Sequence, residues 1–201
     1  MILFARLISY VFHPLILPVA GLLIVFNLEF YVAWALTFQA KMIITSIVFI
    51  FTFLLPALNV LFLYKKGIIN TLQMDSQKER ILPLFLAVIS YGILYYFIRK
   101  SNLPFIIDRM VLGGVMSVAL CFIITFFWKI SLHMAGVGAL LGMLIAVSYR
   151  IGIDLADYVI IVSLCAGLTG FARLQTSSHS SLQVYAGFLA GMGCEIGGFY
   201  I

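Results

Sequence analysis

Apolar runs of roughly 20 residues, the length that a helix needs to cross a hydrocarbon core about 30 Å thick, succeed one another along almost the whole of this chain. Within such a core every backbone N–H and C=O must find its partner inside the protein, which leaves helices or closed barrels. The apolar segments fall at 7–27, 42–64, 82–98, 104–128, 131–149, 157–172 and 181–201. Of the 201 residues, 64% are hydrophobic and 9% charged, far too little charge to coat a water-soluble domain of this size. The sequence therefore predicts an all-α fold, a polytopic transmembrane bundle of six or seven helices forming a single integral membrane domain over residues 1–201.

The first segment holds Pro14 and Pro18, so a kinked or re-entrant path is as open as a plain span. It lacks the short apolar core and small-residue cleavage site of a secretory signal and reads as a retained membrane segment. The net charge of +5 is scattered, which gives nucleic-acid binding little support. The basic residues read instead as helix-end anchors and anion ligands. Cys121, Cys165 and Cys194 sit inside apolar stretches without His or Cys partners at metal spacing. They read as packing residues, and neither a metal nor a cofactor is expected.

Polar residues concentrate in three places: 65–81, 129–133 and 173–180. If all seven segments cross, two crossings separate the first cluster from the second and two separate the second from the third, so all three fall on one face. Pro83 is read as the start signal of the helix that follows the first cluster. Ser131 is placed to cap the next helix but one, with His133 in its first turn. Ser178, His179 and Ser180 stand in the same relation to the last helix, with Gln183 one turn after His179. A helix N-terminus presents free N–H donors and a positive dipole end, which together suit an anion. Gly138-xxx-Gly142 and Gly187-xxx-Gly191 are small-xxx-small faces that let two membrane helices approach closely, so these two helices are expected to pack side by side.

Arg173-x5-His179, Ser131-x-His133 and Lys78-x-Arg80 with Pro83 resemble the signatures of the phosphatidic-acid-phosphatase-type superfamily, the lipid phosphate phosphatases related to vanadium haloperoxidases. The resemblance covers roughly residues 75–195. Ala172 stands where the family has serine, and Gln183 where it has a closing aspartate. The resemblance implies a metal-independent hydrolase acting on a lipid or polyprenyl phosphate or diphosphate. His179 would be the nucleophile and form a phosphohistidine. His133 would protonate the leaving oxygen and later activate water. Arg173, Arg80 and Lys78 would hold phosphate oxygens, with the Ser131 hydroxyl assisting. Gln183 would accept the proton of the second nitrogen of His179 without supplying the family's negative charge. The alternative is a weakly active or non-catalytic protein that binds or transports a lipid phosphate in the same pocket.

Lys129, Lys65 and Lys66 read as interfacial anchors, with outer steering of phosphate as the second reading. Asp75 and Glu79 could orient Arg80 or Lys78. His13 has no partner in sequence and reads as structural, and Asp154 and Asp157 as loop and cap residues on the opposite face. With the candidate ligands set aside, that face holds Lys41, Arg99, Lys100, Arg109 and Arg150, against Arg6, Lys65 and Lys66 on the site face. The positive-inside rule then leans toward a site outside the cytoplasm, in a bacterial inner membrane.

Overall fold

A computed structural model describes residues 1–28, 30–74 and 76–201, with the side chains of Val32 and Ala33 outside that description. Every element among the described residues is helical. In order they are α1 (Ile2–Val11), α2 (Leu17–Asn27), α3 (Tyr31–Ala35), α4 (Phe38–Phe49), a π-helical turn (Ile50–Leu54), α5 (Leu55–Lys65), α6 (Gln77–Lys100), α7 (Phe105–Thr125), α8 (Leu132–Ile151), α9 (Ala156–Gln175) and α10 (Ser181–Tyr200). Among the described residues five helical stretches are long and apolar enough to cross a membrane: Phe38–Lys65, α6, α7, α8 and α9. Large apolar side chains such as Ile93, Phe97, Ile160, Leu164 and Leu189 face outward, as a lipid-facing surface requires.

The first apolar segment is broken. His13-Pro14 separates α1 from α2, and each piece is shorter than a span. Pro14 has no N–H to continue a helix, and its ring disfavours helical geometry at His13. At Pro56 the chain solves the same problem differently. In an α-helix the absent N–H of Pro56 would have met the carbonyl of Thr52, and widening to a π-turn over Ile50–Leu54 lets the helix continue. Within that turn the Phe51 carbonyl accepts the Ser90 hydroxyl of α6 at 2.7 Å.

The start of α6 differs from the expectation. The helix begins at Gln77, and Pro83 lies inside it. Ser76 Oγ accepts the N–H of Glu79 at 3.3 Å, an N-cap strong enough to pull the polar residues 77–81 into the helix. At about 100° per residue, Lys78 and Arg80 then point to nearly opposite sides. Gly152, in the left-handed region at φ 71°, ends α8 where other residues would be strained.

α10 is the central element, packed against α7, α8 and α9. It runs parallel to α8, as the single crossing of α9 between them dictates. A Cβ at Gly187 would meet Ser131 O and Met134 Cβ; one at Gly191 would meet the backbone of Ala135 and Ala139. Cβ atoms at Gly138 and Gly142 would meet the backbones of Phe188 and Met192. The small-residue faces expected from sequence form the interface, and their close approach brings both helix N-termini to one end of the bundle.

Candidate active site

That end gathers the three polar clusters. The Ser131 N–H donates to the Gln183 carbonyl at 3.3 Å, tying the start of α8 to the start of α10. Arg80, buried in the first turn of α6, donates from Nη1 to the Ile130 carbonyl at 3.2 Å and from Nε to the Met74 carbonyl at 2.9 Å. Gln77 Nε2 donates to the Thr125 carbonyl at 2.8 Å. Arg173 lies in the last turn of α9, and Ser177, left-handed at φ 50°, turns the chain back toward α10.

Ser180 caps α10. Its Oγ accepts the Gln183 N–H at 3.4 Å, while Gln183 Oε1 accepts the Ser180 N–H at 3.1 Å, a capping box. The same Oε1 stands 3.1 Å from His179 Nδ1. An amide oxygen only accepts, so Nδ1 carries the proton and Nε2 keeps its lone pair. His179 is buried, 8% exposed. Burial, and then the Arg80 and Arg173 guanidiniums and Lys129, push its imidazole down from 6.5 to about 4, against the upward pull of Gln183. Its ring is neutral at pH 7, with the electron pair that a nucleophile needs.

His133 is within electrostatic reach of Arg173, His13 and His179. Its Nε2 donates to the Ser9 carbonyl at 3.2 Å, and Arg173 Nη1 donates to Ser9 Oγ at 3.2 Å. The His13 ring meets the His133 ring edge-on at 5.4 Å between centroids. The end of α1 thus covers the site with Ser9 and His13. Sequence reading left His13 as structural and did not name Ser9, because both reach the site through the break at Pro14. The one available signal was a histidine beside a helix-breaking proline.

Three further expectations need correction. Ser131 is the N-cap of α8 by position, but its side chain makes no capping bond. Its ψ is 103°, whereas the capping Ser180 and Ser76 have 161° and 149°, so the hydroxyl is turned away from the first free N–H groups. Lys78 is exposed on the far side of α6; the cations that bear on His179 are Arg80, Arg173 and Lys129. Glu79 accepts from the Asn70 N–H and side-chain amide at 3.0 and 2.6 Å rather than orienting Arg80, and Asp75 lies outside the described residues.

Two buried polar atoms at this end have no hydrogen-bond partner among the described residues: Ser131 Oγ and Arg173 Nε. Both are donors, and each such group left unpaired costs about 1–3 kcal/mol. Among the described residues no group of three or more His, Cys, Asp or Glu is placed to hold a metal ion. The geometry therefore offers donors and fixed positive charge to an anion, next to a neutral imidazole. No known protein family, curated protein or solved structure matches the chain.

Proposed function

We propose that this chain is a membrane phosphohydrolase that cleaves a phosphomonoester or diphosphate of a lipid or polyprenyl substrate through a phosphohistidine, as its resemblance to the lipid phosphate phosphatases implies. The observation that carries the reading is the pair of unpaired buried donors, Ser131 Oγ and Arg173 Nε, beside a histidine whose proton sits on the nitrogen facing Gln183. Phosphoryl transfer asks chiefly for positioning and for charge to stabilise the equatorial oxygens. Arg80, Arg173 and Lys129 supply that charge.

In this mechanism His179 Nε2 gives its electron pair to phosphorus and the P–O bond to the lipid breaks. In the substrate complex the negative phosphate beside His133 would favour a second proton on its ring. His133 hands that proton to the leaving oxygen, and the lipid alcohol or monophosphate departs. His133 then takes a proton from water, whose oxygen attacks phosphorus. The P–N bond breaks, and inorganic phosphate leaves with His179 restored. The His133 N–H that now meets the Ser9 carbonyl would turn to the substrate oxygen. The proposal extends to location: a bacterial cytoplasmic membrane, with the site on its outer side, where basic anchors are fewer.

Gln183 favours a second reading. It holds the tautomer but brings no negative charge to stabilise the developing imidazolium, which suits a protein that binds or carries a lipid phosphate. Phosphate release by the purified protein from phosphatidate, phosphatidylglycerophosphate and a polyprenyl diphosphate separates the two. For a phosphatase, His179→Ala lowers release by more than about 10³-fold, as removal of a nucleophile does. Equal release before and after that change overturns the nucleophile assignment. Tight binding of one lipid phosphate without turnover favours the second reading.

A further inference from the structure

A cavity of about 140 Å³ lies between α2, the π-turn, α6, α7 and α8. Its walls are almost wholly apolar, with Leu22, Leu94 and Ile107 among them, and no basic residue lines it among the described residues. Its polar lining includes Glu195 of α10, Thr52 of the π-turn, Tyr91 of α6 and Ser117 of α7. Glu195 is 6% exposed and Thr52 1%. Glu195 Oε2 and Thr52 Oγ1 have no hydrogen-bond partner among the described residues.

Neither group belongs to the site at the helix N-termini. Glu195 lies fourteen residues beyond Ser181, about 21 Å along the helix at 1.5 Å per residue. A carboxyl at that depth is costly and marks a function by default. Its place is also built. The side chain lies across Gly113 of α7, where an added Cβ would meet its carboxyl carbon at 2.7 Å. Only glycine there leaves the carboxyl room.

The lining selects among occupants. A lipid tail would fill apolar walls but gives no use to a buried carboxyl. A hard inorganic cation is held by several carboxylates, carbonyls and waters, and this lining has one carboxyl among apolar walls. An anion meets no positive charge. A cation with an apolar body satisfies every wall: its charge faces Glu195 and the Tyr91 ring, and its hydrocarbon part takes the rest. The volume is close to that of an engineered cavity of about 150 Å³ that holds benzene.

We infer that this cavity is a binding site for a hydrophobic organic cation, an amine or quaternary ammonium with a body of aryl size, held by Glu195 with Thr52 at its edge. The cavity reaches Pro14 and Leu132, beside His13 and His133, at one end and Glu195 at the other; the inference concerns the Glu195 end and does not depend on the phosphatase reading. The test uses the full chain purified in detergent, with equilibrium dialysis at pH 7 of benzylammonium and of benzyl alcohol as its uncharged counterpart of equal size. The wild type binds the cation at least tenfold more tightly than the alcohol. Glu195→Gln brings the two within twofold while leaving the alcohol's binding unchanged, which also shows that the cavity is intact. Gly114→Val, whose Cβ stands 3.6 Å from the Tyr91 ring and 3.9 Å from Glu195 Oε1, fills the cavity and lowers cation binding at least tenfold. Equal binding of the two ligands by the wild type, no saturable binding of either, a preference that survives Glu195→Gln, or cation binding unaffected by Gly114→Val each overturns the inference.

Discussion

His179 is where residue chemistry decides the most. Its imidazole is held down to about 4 first by burial and then by Arg80 and Arg173, so the neutral form persists well below the ordinary value of 6.5. The ¹⁵N signal of His179 is expected to titrate near pH 4. In a phosphatase, the acid limb of kcat/KM, which reports the free enzyme, then falls as pH drops through about 4 and shows no loss from this residue near 6.5. A midpoint at 6.5 would mean that neither burial nor the guanidiniums act on this ring. Gln183→Glu keeps the length that the capping box needs and adds the missing charge. An opposite charge at this distance raises a histidine by about 1–3 units. The same variant is expected to move the His179 midpoint upward and, if chemistry limits the rate, to raise phosphate release by about tenfold or more, part of the ~10⁴ that a comparable carboxylate supplies in a serine-protease triad. An unmoved midpoint would show that the Gln183–His179 contact does not hold in solution.

At the scale of elements, the meeting of α8 and α10 sets the geometry of the site, because these helices carry Ser131, His133 and Gln183. Gly191→Val would put side-chain atoms into the backbone of Ala135 and Ala139. Overpacking of this kind costs about 1–3 kcal/mol, occasionally more, so the thermal midpoint in detergent should fall by several degrees. Gly193→Ala, in the same helix, meets nothing within 4 Å and should leave that midpoint unchanged or slightly raised. Equal losses from both would show that helix propensity, not the interface, is being measured. This interface was legible in sequence because small-xxx-small spacing states both the face and the closeness of approach. The bond from Gln183 to His179 was expected from their spacing of four, but His179 precedes the N-cap Ser180, and it is the capping box that brings Gln183 Oε1 to its ring. What could not be read depended on angles and long-range contact: the 103° ψ that turns Ser131 away from its capping role, and the return of Ser9 and His13 over His133 and Arg173. The N-cap at Ser76 was available in Ser76-x-x-Glu79, but Pro83 was the louder signal and misplaced the helix start. Glu195 went unnamed in the sequence reading, although a lone acid deep in an apolar helix was an available signal.

Across the whole molecule the helices divide charge between two ends. One holds Arg80, Lys129, Arg173 and the covering residues of α1. The other holds the Arg99–Asp108 pair at 3.2 Å, Arg109 at 3.5 Å from the same carboxylate, and Arg150 packed on the rings of Phe105 and Tyr200. Between them lie the five apolar stretches and α10, whose polar Gln183 and Glu195 are turned toward protein by its place against α7 and α8. Such an arrangement fixes which connections share a side of the membrane, whatever path α1 and α2 take, because both precede every cluster. Single cysteines at Gly67 and Ser177, introduced in a background without the native cysteines, should therefore react with a membrane-impermeant maleimide from the same side. Cysteines at Ser101 and Asp154 should react only from the other. Under the proposed orientation, with Ser101 and Asp154 on the cytoplasmic side, intact cells should label the first pair and opened cells all four. Labelling of Gly67 and Ser177 from opposite sides would break the even number of crossings between the clusters and, with it, the shared site.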